Sequence, residues 1–353
     1  MADPQDLNQV LEKSDMQVAR FESSKSSPLE RLQHFLHSSP AAVPLIILAI
    51  SIAVFAVLVG SKFFSPFALT LILQQVAIIG IVATAQTLVI LTAGIDLSVG
   101  AIMVLSSVVM GQFSLRYGLP APAAIFAGIM VGGLCGWING MLVARLKLPP
   151  FIVTLGTWQI FSATIYIYGR NETVRSQDIE AVSFLFQWFG TTIKIGPAVF
   201  TYGVILMLVL AALMSYVLRS TAWGRHVYAV GDDPDAAQLA GVRVGPMLIS
   251  VYTISGLICG LAGWALIGRV GSISPQSGQF ANIESITAVV IGGTSLFGGR
   301  GSILGTLFGA LTVGVFALGL RLWGTDPQWT FLTVGALIIV AVAADQWIRK
   351  VSS

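Results

Sequence analysis

The sequence predicts an all-α fold, a polytopic transmembrane helical bundle of about ten transmembrane helices. Three observations carry that prediction. Hydrophobic residues make up 55% of the 353 residues and charged residues only 10%, whereas a water-soluble domain carries about 25% charged. Apolar stretches of the ~20 residues needed to cross a hydrocarbon core recur from Ala42 to the C-terminus. Several are joined by junctions too short and Gly-rich to be linkers between soluble domains.

Taken in order, residues 1–39 read as a cytoplasmic tail ending in a short amphipathic helix. Residues 1–26 are rich in Ser, Gln, Asp and Lys and hold too few large apolar groups to offset the entropy of ordering. Ser27-Pro28-Leu29-Glu30 then supplies an N-cap, a proline at the first helical position and a capping-box glutamate. Leu29, Leu32, Phe35 and Leu36 follow on one face, as in a helix lying on a membrane surface, and Pro40 ends it. The segment lacks the apolar core and small-residue cleavage site of a secretory signal, so the N-terminus is expected to stay inside.

Residues 40–350 form the transmembrane domain. Spans are expected at about 42–60, 67–91, 98–115, 121–143, 151–168, 198–218, 247–268, 283–298, 302–320 and 328–346. Around Gly94–Gly100 and Gly292–Gly301 the chain can break within the membrane and turn back, so nine to eleven helices fit. With the N-terminus inside, the inner loops collect most of the Lys and Arg, including Arg145, Lys147, Arg219, Arg225 and Arg243, which favours both termini in the cytoplasm. Two loops are longer than the rest. Residues 169–197 should face outward, where Ile179, Val182, Leu185, Phe186 and Trp188 fit an interfacial helix. Residues 219–246 should face inward. A faint internal echo joins Gly94, Leu97 and Gly100 to Gly293, Leu296 and Gly299, and either chance or a structural repeat accounts for it.

The residues exclude several chemistries. No phosphate-binding loop, zinc-protease motif or nucleophile elbow occurs, and the three histidines lie outside the spans, so no catalytic residue, metal ligand or cofactor is expected. Cys135 and Cys259 sit in apolar runs and read as small buried hydrophobes. The net charge of +3 is spread thinly, so no nucleic acid is expected as a partner, and membrane lipid is. Gly298-Gly299-Arg300-Gly301-Ser302 lacks the lysine of a phosphate cradle and reads as a turn between closely packed helices. If ATP drives this protein, another chain hydrolyses it.

Two regions carry the candidate sites. In the inward loop, Asp233 can cap a short helix with Pro234 in its first turn and Gly241 in the left-handed position after its end. Asp235, Ala236, Ala237 and Leu239 lie on that helix, whose small apolar face either docks on its own bundle or seats in an ATPase as a coupling helix. Within the spans, charges are costly and mark candidate functional groups. Asp96, with Ser98 nearby, either caps the helix after Gly94 or lines a translocation path, as Asn282 and Glu284 can in the later junction.

The runs Leu91–Gly100, Pro149–Gly156, Gly224–Gly241 and Thr287–Gly301 resemble those of the membrane subunits of bacterial sugar ABC importers of the ribose, xylose and arabinose type. The resemblance covers about residues 40–350. It implies an ABC importer permease of the bacterial inner (plasma) membrane, working as a homodimer with an ATP-binding cassette subunit beneath and a periplasmic sugar-binding protein above. Asp232-Asp233-Pro234 replaces the Gly-Gly-Asn-Pro of many relatives, and Asn282-Ile283-Glu284 replaces their Glu-Leu-Asp. With Phe35-Leu36-His37 and the ending Asp345–Lys350, these departures resemble the fructose import branch. Fructose is the expected cargo, with ribose or mannose next; an amino-acid or nucleoside permease, or an ion-coupled secondary transporter, is the competing class.

Overall fold

The computed structural model describes residues 42–196 and 198–351. The tail and the helix expected at 27–36 lie outside the described residues. Among the described residues, seven helices are long and apolar enough to cross a membrane, and three apolar ones are shorter. In order they are α1 (Ala42–Val59), α2 (Pro66–Leu91), α3 (Val99–Leu115), α4 (Ala121–Arg145) and α5 (Pro150–Gly169). A connecting segment follows with α6 (Ser176–Val182), a 3-10 helix (Phe184–Gly190) and the strands β1 (Thr192–Ile195) and β2 (Ala198–Thr201). Then come α7 (Tyr202–Ser220), α8 (Ala222–Asp232), α9 (Pro234–Leu239), α10 (Val244–Val270), α11 (Ala281–Ile291), α12 (Ile303–Trp323) and α13 (Pro327–Val351).

Local chemistry sets the boundaries. Ser65 Oγ accepts from Ala68 N (3.2 Å) to start α2, and Ser302 Oγ accepts from Gly305 N (3.1 Å) to start α12. Prolines stand in the first turns of α2, α4 and α5, where a missing N–H costs nothing. Two expectations need correction. The span placed at 198–218 begins at Tyr202, because Ala198–Thr201 pairs antiparallel with Thr192–Ile195 in a hairpin whose Val199 N donates to Thr70 Oγ1 (3.2 Å). The span placed at 283–298 ends at Ile291, because residues 292–302 fold into a turn of their own.

The bundle has an enclosed centre and an apolar outer surface. Every residue of α2 from Val76 to Leu91 is buried, as is every residue of α3 from Val99 to Gln112. Outer helices instead expose large apolar side chains, such as Val57 on α1 (85% exposed) and Ile167 on α5 (79%), a surface that suits lipid. One close crossing joins α4 to α10. Gly132, Gly136 and Gly140 on α4 face the backbone of Tyr252, Gly256 and Ile249 on α10, closer than any side-chain carbon would allow at Gly136. Cys135 and Cys259, on the same two helices, are free and buried as expected.

Candidate translocation and coupling sites

The first site is built on the break between α2 and α3. The end of α2 closes with Ala93 N donating to Ile90 O (2.9 Å) and Gly94 N to Val89 O (3.1 Å), and Ala93, just before the Gly94 expected to end the helix, takes the left-handed conformation (φ 58°). After this ending, residues 95–98 pass between the helices, and other elements supply partners for their backbone. Gln86, with its amide oriented to satisfy both groups, donates to Asp96 O (3.0 Å) and accepts from Asp96 N (3.2 Å). Thr154 Oγ1 donates to Ile95 O (2.8 Å), and Asn282 Nδ2 donates to Leu97 O (3.3 Å). Asp96 is buried, and its Oδ1 accepts from Ser98 N (2.7 Å) and Ser98 Oγ (2.6 Å). Asn139 Nδ2 completes the chain by donating to Ser98 Oγ (2.8 Å). Asp96 is thus not the N-cap of α3. Ser98 holds that position, and Asp96 folds the turn before it.

A cleft opens beside this break. The chain between α10 and α11, residues 271–280, runs unwound along α3, with Ile273 against Gly111, Gly278 against Met103 and Asn282 against Gly100. Non-helical backbone at membrane depth is stable only where it lines a cavity or is covered by protein. Between this segment, α3 and α5 lies a cavity of about 200 Å³. Its walls carry the rings of Trp158 and Tyr166, the amides of Gln159, Gln279 and Asn282, and the hydroxyls of Ser162 and Ser277. None of its described lining residues is charged. The structure therefore brings Asp96, Ser98 and Asn282 together, and of the three only Asn282 faces the cleft. Glu284 is half-buried in the first turn of α11, within the electrostatic reach of Arg269.

The second site is the α8–α9 segment. Asp233 Oδ1 accepts from Asp235 N and Ala236 N (both 2.9 Å), which with Pro234 fixes the start of α9. Gly241 (φ 89°) closes it, with Val242 N donating to Ala237 O (3.0 Å). Ala237 is buried toward its own bundle, so the apolar face expected of the paired alanines is divided: Ala236 and Leu239 point away, and Leu239 is 91% exposed. On α8, Trp223 Nε1 donates to Ser250 Oγ (2.9 Å) on α10, and Tyr228 OH donates to Gly301 O (2.9 Å). Burial raises the Tyr228 phenol above its ordinary pKa, with the Arg219 guanidinium acting in the opposite direction.

Residues 68–342, most of the chain, match the family model described as branched-chain amino acid transport system / permease component. The chain belongs to this permease family. The permease is 68% identical over 349 residues, 99% of its length and 97% of the relative's, to the fructose import permease protein of Rhizobium meliloti. It is 36% identical to the ribose import permease protein of Escherichia coli K12 (85% and 92% of the two chains) and 30% identical to the xylose transport system permease protein of Haemophilus influenzae (87% and 96%). No solved structure matches it. The resemblance to sugar ABC importer permeases, and within them to the fructose branch, is borne out. The permease is a multi-pass membrane protein and a transport subunit rather than an enzyme.

Sequence reasoning missed most of the cleft of this permease. Trp158, Gln159, Ser162 and Tyr166 recur three and four residues apart on α5, a polar and aromatic stripe that helical spacing could have revealed. Ser277 and Gln279 were hidden because residues 271–280 read as an ordinary connection.

Proposed function

We propose that this chain is the membrane-spanning permease of an ATP-driven fructose importer, translocating sugar delivered by a periplasmic binding protein. The 68% identity over nearly the whole chain to a protein named as a fructose import permease carries the reading. The cleft chemistry supports it. A sugar ring offers hydroxyls that amides and serines can match and C–H faces that Trp158 and Tyr166 can stack against. The absence of charge among the described lining residues favours a neutral solute over an amino acid, whose carboxylate and ammonium would each need a partner. The volume lies below the ~300–1,000 Å³ of pockets for larger ligands, in keeping with a weak, transient site.

The same reading assigns the partners and the orientation. Leu239, an apolar side chain exposed on a capped helix, is the seat for an ATP-binding cassette subunit. Gln159 and Gln279 are exposed on the cleft in a region of apolar helices, where polar groups facing lipid are costly, so a second copy of the chain covers them and completes the path. The protein then lies in the bacterial inner membrane with both termini and α9 in the cytoplasm, residues 1–39 forming a tail and 40–350 the permease domain. Asp96 and Ser98 hold the break, while Asn282 and, through the first turn of α11, Glu284 border the path.

Uptake of labelled fructose, with ribose and leucine for comparison, tests the reading in cells with and without the cognate ATPase and binding protein. Fructose uptake that requires both is expected; uptake by this chain alone, or a preference for leucine, overturns it. In the same assay Leu239→Glu should reduce uptake to background with unchanged protein in the membrane.

A further inference from the structure

Three segments distant in sequence converge where α8 ends. Gly231 is so close to Leu91 O that no side-chain carbon could fit between them, and it also faces Gly299 N. Gly299 N itself donates to Leu91 O (3.0 Å), and one turn earlier on α8 the Tyr228 hydroxyl holds Gly301 O (2.9 Å). The two segments that meet α8 here lead to the same second place. From Leu91 the chain passes through the break to Leu97. From Gly299 it runs back through the 292–302 turn and along α11 to Asn282. Asn282 Nδ2 then donates to Leu97 O (3.3 Å) while its side chain lines the cleft. Covalent chain and hydrogen bonds thus form a closed ring, with α8 at one end and the cleft wall at the other.

The ring is stiff along one arm. The eleven residues of α11 make a rod of about 16 Å. Where it crosses α12, Gly309 and Gly305 meet Ala288 O and Gly292 O with no room for a side chain between. Packed contacts of this kind shift between discrete arrangements instead of yielding gradually.

We propose that this ring transmits movement of the α8–α9 segment to the cleft, with Tyr228 as the positioning residue that ties α8 to the 292–302 turn and Asn282–Leu97 as the contact that moves. The inference rests on the reading of α9 as the ATPase seat. Its test uses the assembled complex in proteoliposomes and compares sugar moved per ATP hydrolysed. Tyr228→Phe removes one hydroxyl; it should leave ATP hydrolysis within about twofold of wild type and lower transport per ATP about tenfold. An unchanged ratio overturns the proposal. A wild-type complex without ATP-dependent sugar uptake would sink the importer reading instead. Hydrogen exchange on the wild-type complex gives a measure independent of any variant. Trapping with ATP and vanadate should change protection in residues 92–98 and 292–302 together with 222–232, and a change confined to 222–232 overturns the ring.

Discussion

At the residue scale, Asp96 joins a buried carboxyl group to a structural task. One carboxylate oxygen folds the turn before α3 through Ser98, and Ser98 in turn is held by Asn139. Removing a buried hydrogen-bonding partner typically costs about 1–3 kcal/mol. Asp96→Ala should therefore lower the thermal unfolding midpoint of the purified protein by several degrees, whereas Asp96→Asn keeps an oxygen for Ser98 N and should stay close to wild type. Uptake separates geometry from charge: if Asp96→Asn is stable yet inactive, the carboxylate itself takes part in transport. The sequence located this residue because charges between apolar runs are conspicuous. It did not reveal whether the side chain faces the cleft, since that depends on Gln86, Thr154 and Asn282, polar residues spread over three other helices.

At the element scale, helix packing without a water-driven hydrophobic effect relies on close backbone approach. The α4–α10 crossing is built this way, and glycine on one helix faces carbonyl on the other. Gly136→Val would drive a side chain into Tyr252 O and should abolish the yield of monodisperse protein. Gly156→Ala, on a part of α5 with nothing within 4 Å of the added carbon, should be neutral in the same measurement. Helix positions were legible from apolar run lengths, and Asp233, Pro234 and Gly241 placed α9 through capping chemistry alone. The β-hairpin was not, because Ala198–Thr201 is as apolar as the helix it precedes and only its pairing with Thr192–Ile195 distinguishes it. The two breaks carry another lesson. Thr294 N donates to Val289 O and Gly293 N to Val290 O, the same helix ending found at Val89 and Ile90, but one residue out of register with the glycine echo in the sequence. The echo marks matching geometry without aligning it.

At the scale of the whole molecule, the enclosed helices α2 and α3 form an axis around which the lipid-facing helices stand, and the unwound residues 271–280 let α11 begin within the protein beside Gly100. That arrangement was illegible in the sequence because a broken helix and a complete span differ little in composition. It has a consequence for biogenesis. An isolated rod of about 16 Å reaches roughly half-way across a ~30 Å hydrocarbon core, so α11 lacks the length to be released into the bilayer as an independent span when it leaves the ribosome. Its placement must wait until α12 has been synthesised and can hold it. Reporter enzymes fused after residues 292–302 should accordingly give a sidedness that disagrees with the same site probed in the full-length chain, and agreement between the two would show that α11 inserts unaided.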